Sequence, residues 1–222
     1  MSFRVKIISP LKATQADIQR RQRRYSEHAG PDTQVEVFNL EEGPLALNTP
    51  DDLIFCEHAV FQEGTKTERH DFDAILIDCV FDVAVDALRE ETGIPTFGPS
   101  RTTLQLISLV APNFSIIARI EKQSELLAQV VRKYGYGDRL VSTRALGISY
   151  EEAKEENIFN EAMIRQLKLV IEEDKAGAVM MGSTTMALAD EVAVAAAGMP
   201  LFFPGMIALK VMEILWFDRV MA

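Results

Sequence analysis

The chain carries one structural phrase twice. In its first half Ala74-Ile75-Leu76-Ile77 runs into a polar break at Asp78-Cys79, then an apolar helical stretch, then Gly93-Ile94-Pro95-Thr96-Phe97-Gly98-Pro99. In its second half Ala178-Val179-Met180-Met181 runs into Gly182-Ser183, then an Ala-rich helical stretch, then Gly198-Met199-Pro200-Leu201-Phe202-Phe203-Pro204. Gly93 follows Cys79 by 14 positions and Gly198 follows Ser183 by 15. Strand, break, helix, Gly-x-Pro and aromatic in one order, twice, make duplication a better account than chance. Duplication constrains the fold to two similar lobes. It also makes Cys79 and Ser183 equivalent, each at the carboxyl end of a strand and the amino end of a helix, which is the edge of an open α/β sheet where ligands bind.

Around the repeat, short apolar runs alternate with helical patterns, the signature of βα units on a mostly parallel sheet. Phe3 to Ile8 reads as the first strand and 14–29 as a helix, opened by Thr14 with Asp17 three residues on and closed by Gly30-Pro31. Strands then follow at 35–38, 74–77 and 94–97, with helices at 51–62, 83–91 and 101–110. The second half reads as strands at 114–118, 139–143 and 178–181 and helices at 121–134, 161–173 and 186–194, with Ser149 and Glu152 as a capping box. The expected architecture is α/β: two similar Rossmann-like (flavodoxin-like) lobes with parallel sheets, related by pseudo-two-fold symmetry, with the active site in the cleft between them. The first lobe is expected at 1–110, joined by the C-terminal helix 206–222, and the second at 111–205. Leu209, Met212, Leu215 and Trp216 fall at helical spacing in that last helix and read as core or as the interface of a homo-oligomer.

Composition narrows the class. Hydrophobic residues at 48% and charged residues at 25% are those of a chain with a real core. A formal charge of −10 disfavours nucleic acid and an anionic membrane as partners, since their phosphates would be repelled. An anionic substrate then needs a local exception to the global charge. Two cysteines are too few for a disulfide framework, the start of the chain lacks the apolar stretch of a signal peptide, and no apolar run approaches the roughly 18 residues of a membrane helix, so a soluble cytoplasmic protein is expected. Cys56 and His58, two apart on a helix, point to different faces and read as structural rather than as metal ligands. The cluster Arg20, Arg21, Arg23 and Arg24 reads as a solvated helix face, and Gly135-Tyr136-Gly137 is too short for a dinucleotide loop.

A helix amino terminus favours anions and lowers the pKa of a thiol placed there, which makes Cys79 the expected working thiol. Two such ends facing one another can hold a carboxylate while each side chain addresses one face of the adjacent carbon. That suits proton transfer at a carbon next to a carbonyl, in a small anionic or carbonyl-bearing substrate, with no metal and no organic cofactor. The plainer readings are that Cys79 is a small buried hydrophobe, Ser183 a helix N-cap, and Arg119 a surface charge paired with Glu121.

At these residues the chain resembles the aspartate/glutamate/hydantoin racemase superfamily. Asp78-Cys79-Val80-Phe81-Asp82 with Asp86-Ala87-Leu88-Arg89-Glu90 is similar to the first cysteine segment of hydantoin and allantoin racemases, and Gly182-Ser183-Thr184-Thr185-Met186-Ala187 to their second, with serine for cysteine. Ile8-Ser9-Pro10 resembles the family's opening Asn-Pro loop with serine for asparagine, and Phe114-Ser115-Ile116-Ile117 the strand opening its second half. The resemblance implies that Cys79 and the position of Ser183 are paired acid and base. It implies a substrate cradle at Ser9, the backbone of Val80 and Phe81, Thr184 and Thr185. Arg119 stands where relatives that decarboxylate arylmalonates or isomerise maleate place a carboxylate-binding tyrosine, and an arginine there could grip an anion bidentately.

The serine is the departure that matters. Its hydroxyl is a poor base unless a neighbour activates it, and none of His28, His58 or His70 lies in a segment that points to this edge. Three readings follow: a one-thiol decarboxylation or cis–trans isomerisation of a small dicarboxylate, a Ser183 that works with help from groups not legible in the sequence, or a serine that has replaced a natural cysteine. The expected activity is cofactor-independent racemisation or epimerisation of a hydantoin or amino-acid-like molecule. The alternatives are the one-thiol decarboxylase or isomerase, and a non-catalytic small-acid binding protein.

Overall fold

The computed structural model describes residues 2–149, 152–186, 192, 195–196 and 198–221. Among the strands of the first half, β1 (Phe3–Ile8), β2 (Thr33–Phe38), β3 (Ala74–Ile77) and β4 (Thr96–Phe97) form one parallel sheet in the order β2-β1-β3-β4. Helices α1 (Gln15–His28), α2 (Pro50–Gly64) and α3 (Val85–Thr92) connect them, and α4 (Pro99–Val110) leads onward. In the second half β5 (Phe114–Ala118), α5 (Glu121–Lys133), β6 (Leu140–Ala145), α6 (Glu156–Leu169), β7 (Val179–Met181) and β8 (Leu201–Phe202) follow, and their sheet has the order β6-β5-β7-β8. The final helix is α7 (Pro204–Phe217).

The two orders are the same permutation, so the duplication read in the sequence is also a duplication of topology. Hydrogen bonds repeat with it. Ile75 N–H donates to Pro95 O at 2.9 Å and Val179 N–H to Pro200 O at 2.9 Å. Gly93 and Gly198, which precede those prolines, both hold a left-handed φ, 62° and 82°, a conformation that costs glycine little.

Parallel strands covered on both faces read as continuous apolar runs, and β3 and β7 are buried throughout for that reason. The chain divides into two compact units, Met1–Thr102 with Gly205–Ala222, and Thr103–Pro204, with the division inside α4. The last helix sits with the first unit because Phe3 of β1 stacks on Trp216 at 5.0 Å and Glu213 accepts from Gly30 N at 2.6 Å. The core of the second unit gathers Ile117, Met163, Leu167, Val179 and Met181.

Thr14 accepts from Asp17 N, so α1 starts where the sequence places it. The third helix begins later than expected, at Val85, because Asp82 and Ala84 both adopt left-handed backbone and keep the chain in turns after β3. The Ser149/Glu152 box forms, with Ser149 N to Glu152 Oε2 at 2.7 Å and Glu152 N to Ser149 Oγ at 3.2 Å, but it opens a separate short turn, Glu152–Lys154, and α6 starts only at Glu156. Past Leu169 that helix widens into a π turn, Val170–Asp174. The helix expected at 186–194 falls largely outside the described residues. No helix among the described residues is long and apolar enough to cross a membrane.

Candidate active site

The strand registers locate the two candidate positions. Ile8 pairs with Ile77, and Asp78 N–H reaches back to Ile8 O at 2.9 Å. In the second unit Ile117 pairs with Met181, and Gly182 N–H reaches back to Ile117 O at 2.8 Å. Cys79 and Ser183 are therefore each the second residue past the central strand's partner, and Ser9 and Pro10 are matched by Ala118 and Arg119.

In the first unit, Ser9 is fully buried at the end of β1, and its hydroxyl donates to Leu11 O at 3.1 Å, closing a local turn. Cys79 is 3% exposed. The Phe81 amide and the thiol of Cys56, a fully buried residue of α2, are the polar groups that bear on its sulfur, and Cys56 Sγ donates to Pro10 O at 3.1 Å. Burial pushes the Cys79 thiol well above the ordinary range, Cys56 pushes the same way, and the Phe81 amide pulls against both.

This corrects the expectation of a thiol made acidic by a helix end. The helix after Cys79 starts at Val85, beyond a tight turn closed by Asp82 N to Cys79 O at 3.1 Å. A second helix end, that of α4, packs against this turn, but Asp82 already occupies it, accepting from Ser100 N at 2.9 Å and Arg101 N at 2.7 Å. Ser100 Oγ also donates to Val80 O at 2.5 Å. A Cβ on Gly98 would lie 2.4 Å from the Asp82 carboxyl carbon, so the bare glycine is what lets that carboxylate reach the helix. The Val80–Phe81 turn is thus tied down by α4, and the negative charge in reach of the thiol is one more reason for its high pKa.

The residue before the thiol, Asp78, belongs to a second buried polar group, formed with α1. Asp78 is 1% exposed, paired with Arg21 of α1 and accepting from Tyr25 OH at 2.6 Å. Arg21 is thereby removed from the solvated arginine face expected of α1. Burial works against its charge, yet Asp78 outweighs burial and leaves the guanidinium pKa raised. Burial, followed by the Asp78 charge, holds the Tyr25 phenol well above its usual value. The available signal was the spacing: Arg21 and Tyr25 are four apart and share one helix face.

The second unit sets different surroundings around Ser183. Gly182 crosses β5 so closely that a Cβ there would lie 2.8 Å from Ala118 Cα and 2.9 Å from Ile117 O. The half-buried Ser183 follows it. The Ser183 and Thr185 hydroxyls are 3.1 Å apart, Thr185 N donates to Ser183 Oγ at 3.3 Å, and Arg119 Nη2 donates to Thr185 Oγ1 at 3.3 Å. Thr184 is buried. Within the first unit the structure brings together Ser9, Cys79, Val80 and Phe81 and adds Cys56. Within the second it brings together Arg119, Ser183 and Thr185. Among the described residues no cluster of three or more His, Cys, Asp or Glu could hold a metal ion.

Chemically, the first group offers a thiol whose proton is retained until something stabilises its anion. The second offers a hydroxyl backed by a guanidinium. The family model described as Asp/Glu/Hydantoin racemase matches residues 5–212. The hydantoin racemase of Paenarthrobacter aurescens is 28% identical over 190 residues, covering 82% of this chain and 78% of its own. That of Pseudomonas sp. (strain NS671) is 27% identical over 186 residues, covering 83% and 74%. Allantoin racemase from Klebsiella pneumoniae aligns in structure with a TM-score of 0.88 at 20% identity, covering 98% of this chain and 89% of its own.

Proposed function

The chain belongs to the Asp/Glu/hydantoin racemase family, a family of isomerases, and from that premise we propose that it inverts a carbon next to a carbonyl in a hydantoin or amino-acid-like substrate. Cys79 is the base and Ser183 the group serving the other face. The observation that carries this reading is the equivalence of the two positions: both stand two residues past the same strand pairing in a duplicated sheet.

The proton to be removed is held by a carbon acid, so the barrier lies in forming the anion and stabilising it. A thiol of raised pKa is a strong base once ionised, and the Phe81 amide supports the thiolate when it forms. Val80 and Phe81, Ser9, Thr184 and Thr185 supply the polar surroundings for the substrate's carbonyl or carboxylate, and Arg119 supplies a local positive charge in a chain whose net charge is −10. No redox step enters this chemistry.

The test is incubation of enantiopure 5-substituted hydantoins, allantoin and amino acids with the enzyme in heavy water. Loss of optical rotation with deuterium appearing at the inverted carbon is expected for at least one substrate. Full retention of rotation and of the original hydrogen across the panel refutes the reading. Arg119 beside Thr185 favours a second reading, a one-thiol decarboxylase or cis–trans isomerase of a small dicarboxylate. Release of carbon dioxide or a change of double-bond geometry, lost in Cys79→Ala, identifies that case.

A further inference from the structure

A serine at a proton-transfer position has one chemical weakness: its oxygen carries negative charge poorly unless donors hold it. In the second unit donors converge on that oxygen. Thr185 N donates to Ser183 Oγ at 3.3 Å, the two hydroxyls are 3.1 Å apart, and Arg119 Nη2 donates to Thr185 Oγ1 at 3.3 Å. Arginine is always charged and can only donate, so one lone pair of Thr185 Oγ1 is committed to it. A charge-assisted bond accepted by a hydroxyl polarises its O–H and makes it the better donor of a pair. Polarity therefore runs from the guanidinium through Thr185 to Ser183, and the Ser183 proton is the last in the series.

The first unit has the opposite arrangement at the matching positions. Arg119 corresponds to Pro10, whose carbonyl accepts from Cys56, and the charge that bears on the Cys79 sulfur is that of the Asp82 carboxylate, which opposes its ionisation. One unit therefore holds a group that keeps a proton well once it has it, and the other holds a group equipped to give a proton up.

The geometry points to Arg119 and Thr185 as positioning residues that make Ser183 the proton donor of the second unit, in a reaction whose proton acceptor is Cys79. This rests on the proton-transfer isomerase reading and names how its odd serine works. In the forward step the Cys79 thiolate takes the proton from the substrate carbon, and the C–H electron pair passes into the neighbouring carbonyl as an enolate. The Ser183 O–H bond then breaks as a new C–H bond forms on the opposite face. The negative charge ends on Ser183 Oγ, where the Thr185 O–H and N–H receive it with Arg119 behind them. Water returns a proton to Ser183 and accepts one from Cys79, so atoms and charge balance with no oxidant, reductant or cofactor.

The experiment measures kcat, KM and deuterium uptake in heavy water for Thr185→Val and Arg119→Leu, each made in the wild-type and in the Ser183→Cys background, on whichever enantiopure hydantoin the enzyme inverts. In the wild-type background inversion is expected to fall about 100-fold in kcat for Thr185→Val, the low end of what removal of one donor to a developing oxyanion costs, and at least about tenfold for Arg119→Leu, which acts through Thr185. Exchange at the carbon without inversion persists, because Cys79 still acts. Thr185→Ser restores most of the loss, which separates the hydroxyl's role from folding. In the Ser183→Cys background the same two substitutions are expected to cost at least about tenfold less, since a thiol ionises without such support. Equal losses in both backgrounds, or losses confined to KM, mean that Arg119 and Thr185 only hold the substrate and overturn this inference while leaving the isomerase reading standing. Neither exchange nor inversion by any of the proteins, wild type included, removes that reading and this inference together.

Discussion

The buried thiol of Cys56 bears directly on that of Cys79 and favours its protonated form, and Cys56 Sγ donates to the carbonyl of Pro10 at 3.1 Å. Two sulfurs from separate βα elements thus share one buried setting beside the loop after β1. An acceptor for the Cys79 proton stabilises the thiol over the thiolate, which opposes its use as a base.

Cys56→Ala removes that acceptor. The pH at which the activity rises as Cys79 ionises is therefore expected to move down, toward the ordinary thiol range, while Cys56→Ser, which keeps an acceptor, leaves it near the wild-type position. The sign follows from the direction of the shift: burial first and Cys56 second raise the Cys79 pKa, so activity that needs the thiolate increases with pH through a raised value, and relief of one cause lowers it. A kcat/KM profile against pH, read beside the pH dependence of iodoacetamide labelling at Cys79, checks it. A change in rate with no movement of either profile assigns Cys56 to packing alone.

Arg21 and Asp78, the residue that precedes Cys79 in sequence, form a buried ion pair, with Arg21 8% and Asp78 1% exposed. Arg21→Met leaves the Asp78 carboxylate uncompensated and is expected to cost about 3–5 kcal/mol in urea unfolding, whereas Arg21→Met combined with Asp78→Leu recovers most of that cost. A double variant as unstable as the single one contradicts the pairing argument.

Gly182→Ala sets a Cβ against the backbone of Ile117 and Ala118, neither of which can turn aside as a flexible side chain would. Overpacking of this kind costs about 1–3 kcal/mol, and the strand end carrying Ser183 has to shift to relieve it. A lower melting temperature together with a fall in kcat is the expected result. Gly135→Ala is the contrasting case, since nothing lies within 4 Å of a Cβ there and its left-handed φ of 81° makes any cost one of backbone strain rather than overpacking.

The fold was readable because its signals are local. Apolar runs, Gly-x-Pro breaks and caps such as Thr14 with Asp17 each lie within a few residues, and the repeated phrase marks the two sheets as copies of one plan. The paired positions of Cys79 and Ser183 followed from that repeat. What the sequence did not show depends on contacts between distant elements. Cys56 reaches Cys79 only because α2 packs over the carboxyl end of β1, and nothing in the spacing of the two cysteines announces it. Asp82 capping α4 joins residues separated by a helix and a strand. Arg21 was hidden by company: Arg20 and Arg23 on the same helix are exposed, so the cluster reads as solvated although the Arg21–Tyr25 face is buried. The acidity expected of Cys79 failed for a related reason, since left-handed backbone at Asp82 and Ala84 delays α3 and a carboxylate takes the neighbouring helix end.

Cys79 is the residue on which the functional account stands. The most direct measurement is the appearance of deuterium at the substrate carbon in heavy water, followed by proton resonance for the wild type and Cys79→Ala, with the fold of each checked by circular dichroism. Wild-type exchange that falls at least about 1,000-fold in a folded Cys79→Ala protein is the expected result, as for loss of an essential base. Exchange that continues at an undiminished rate without the sulfur contradicts the assignment of Cys79 as the base.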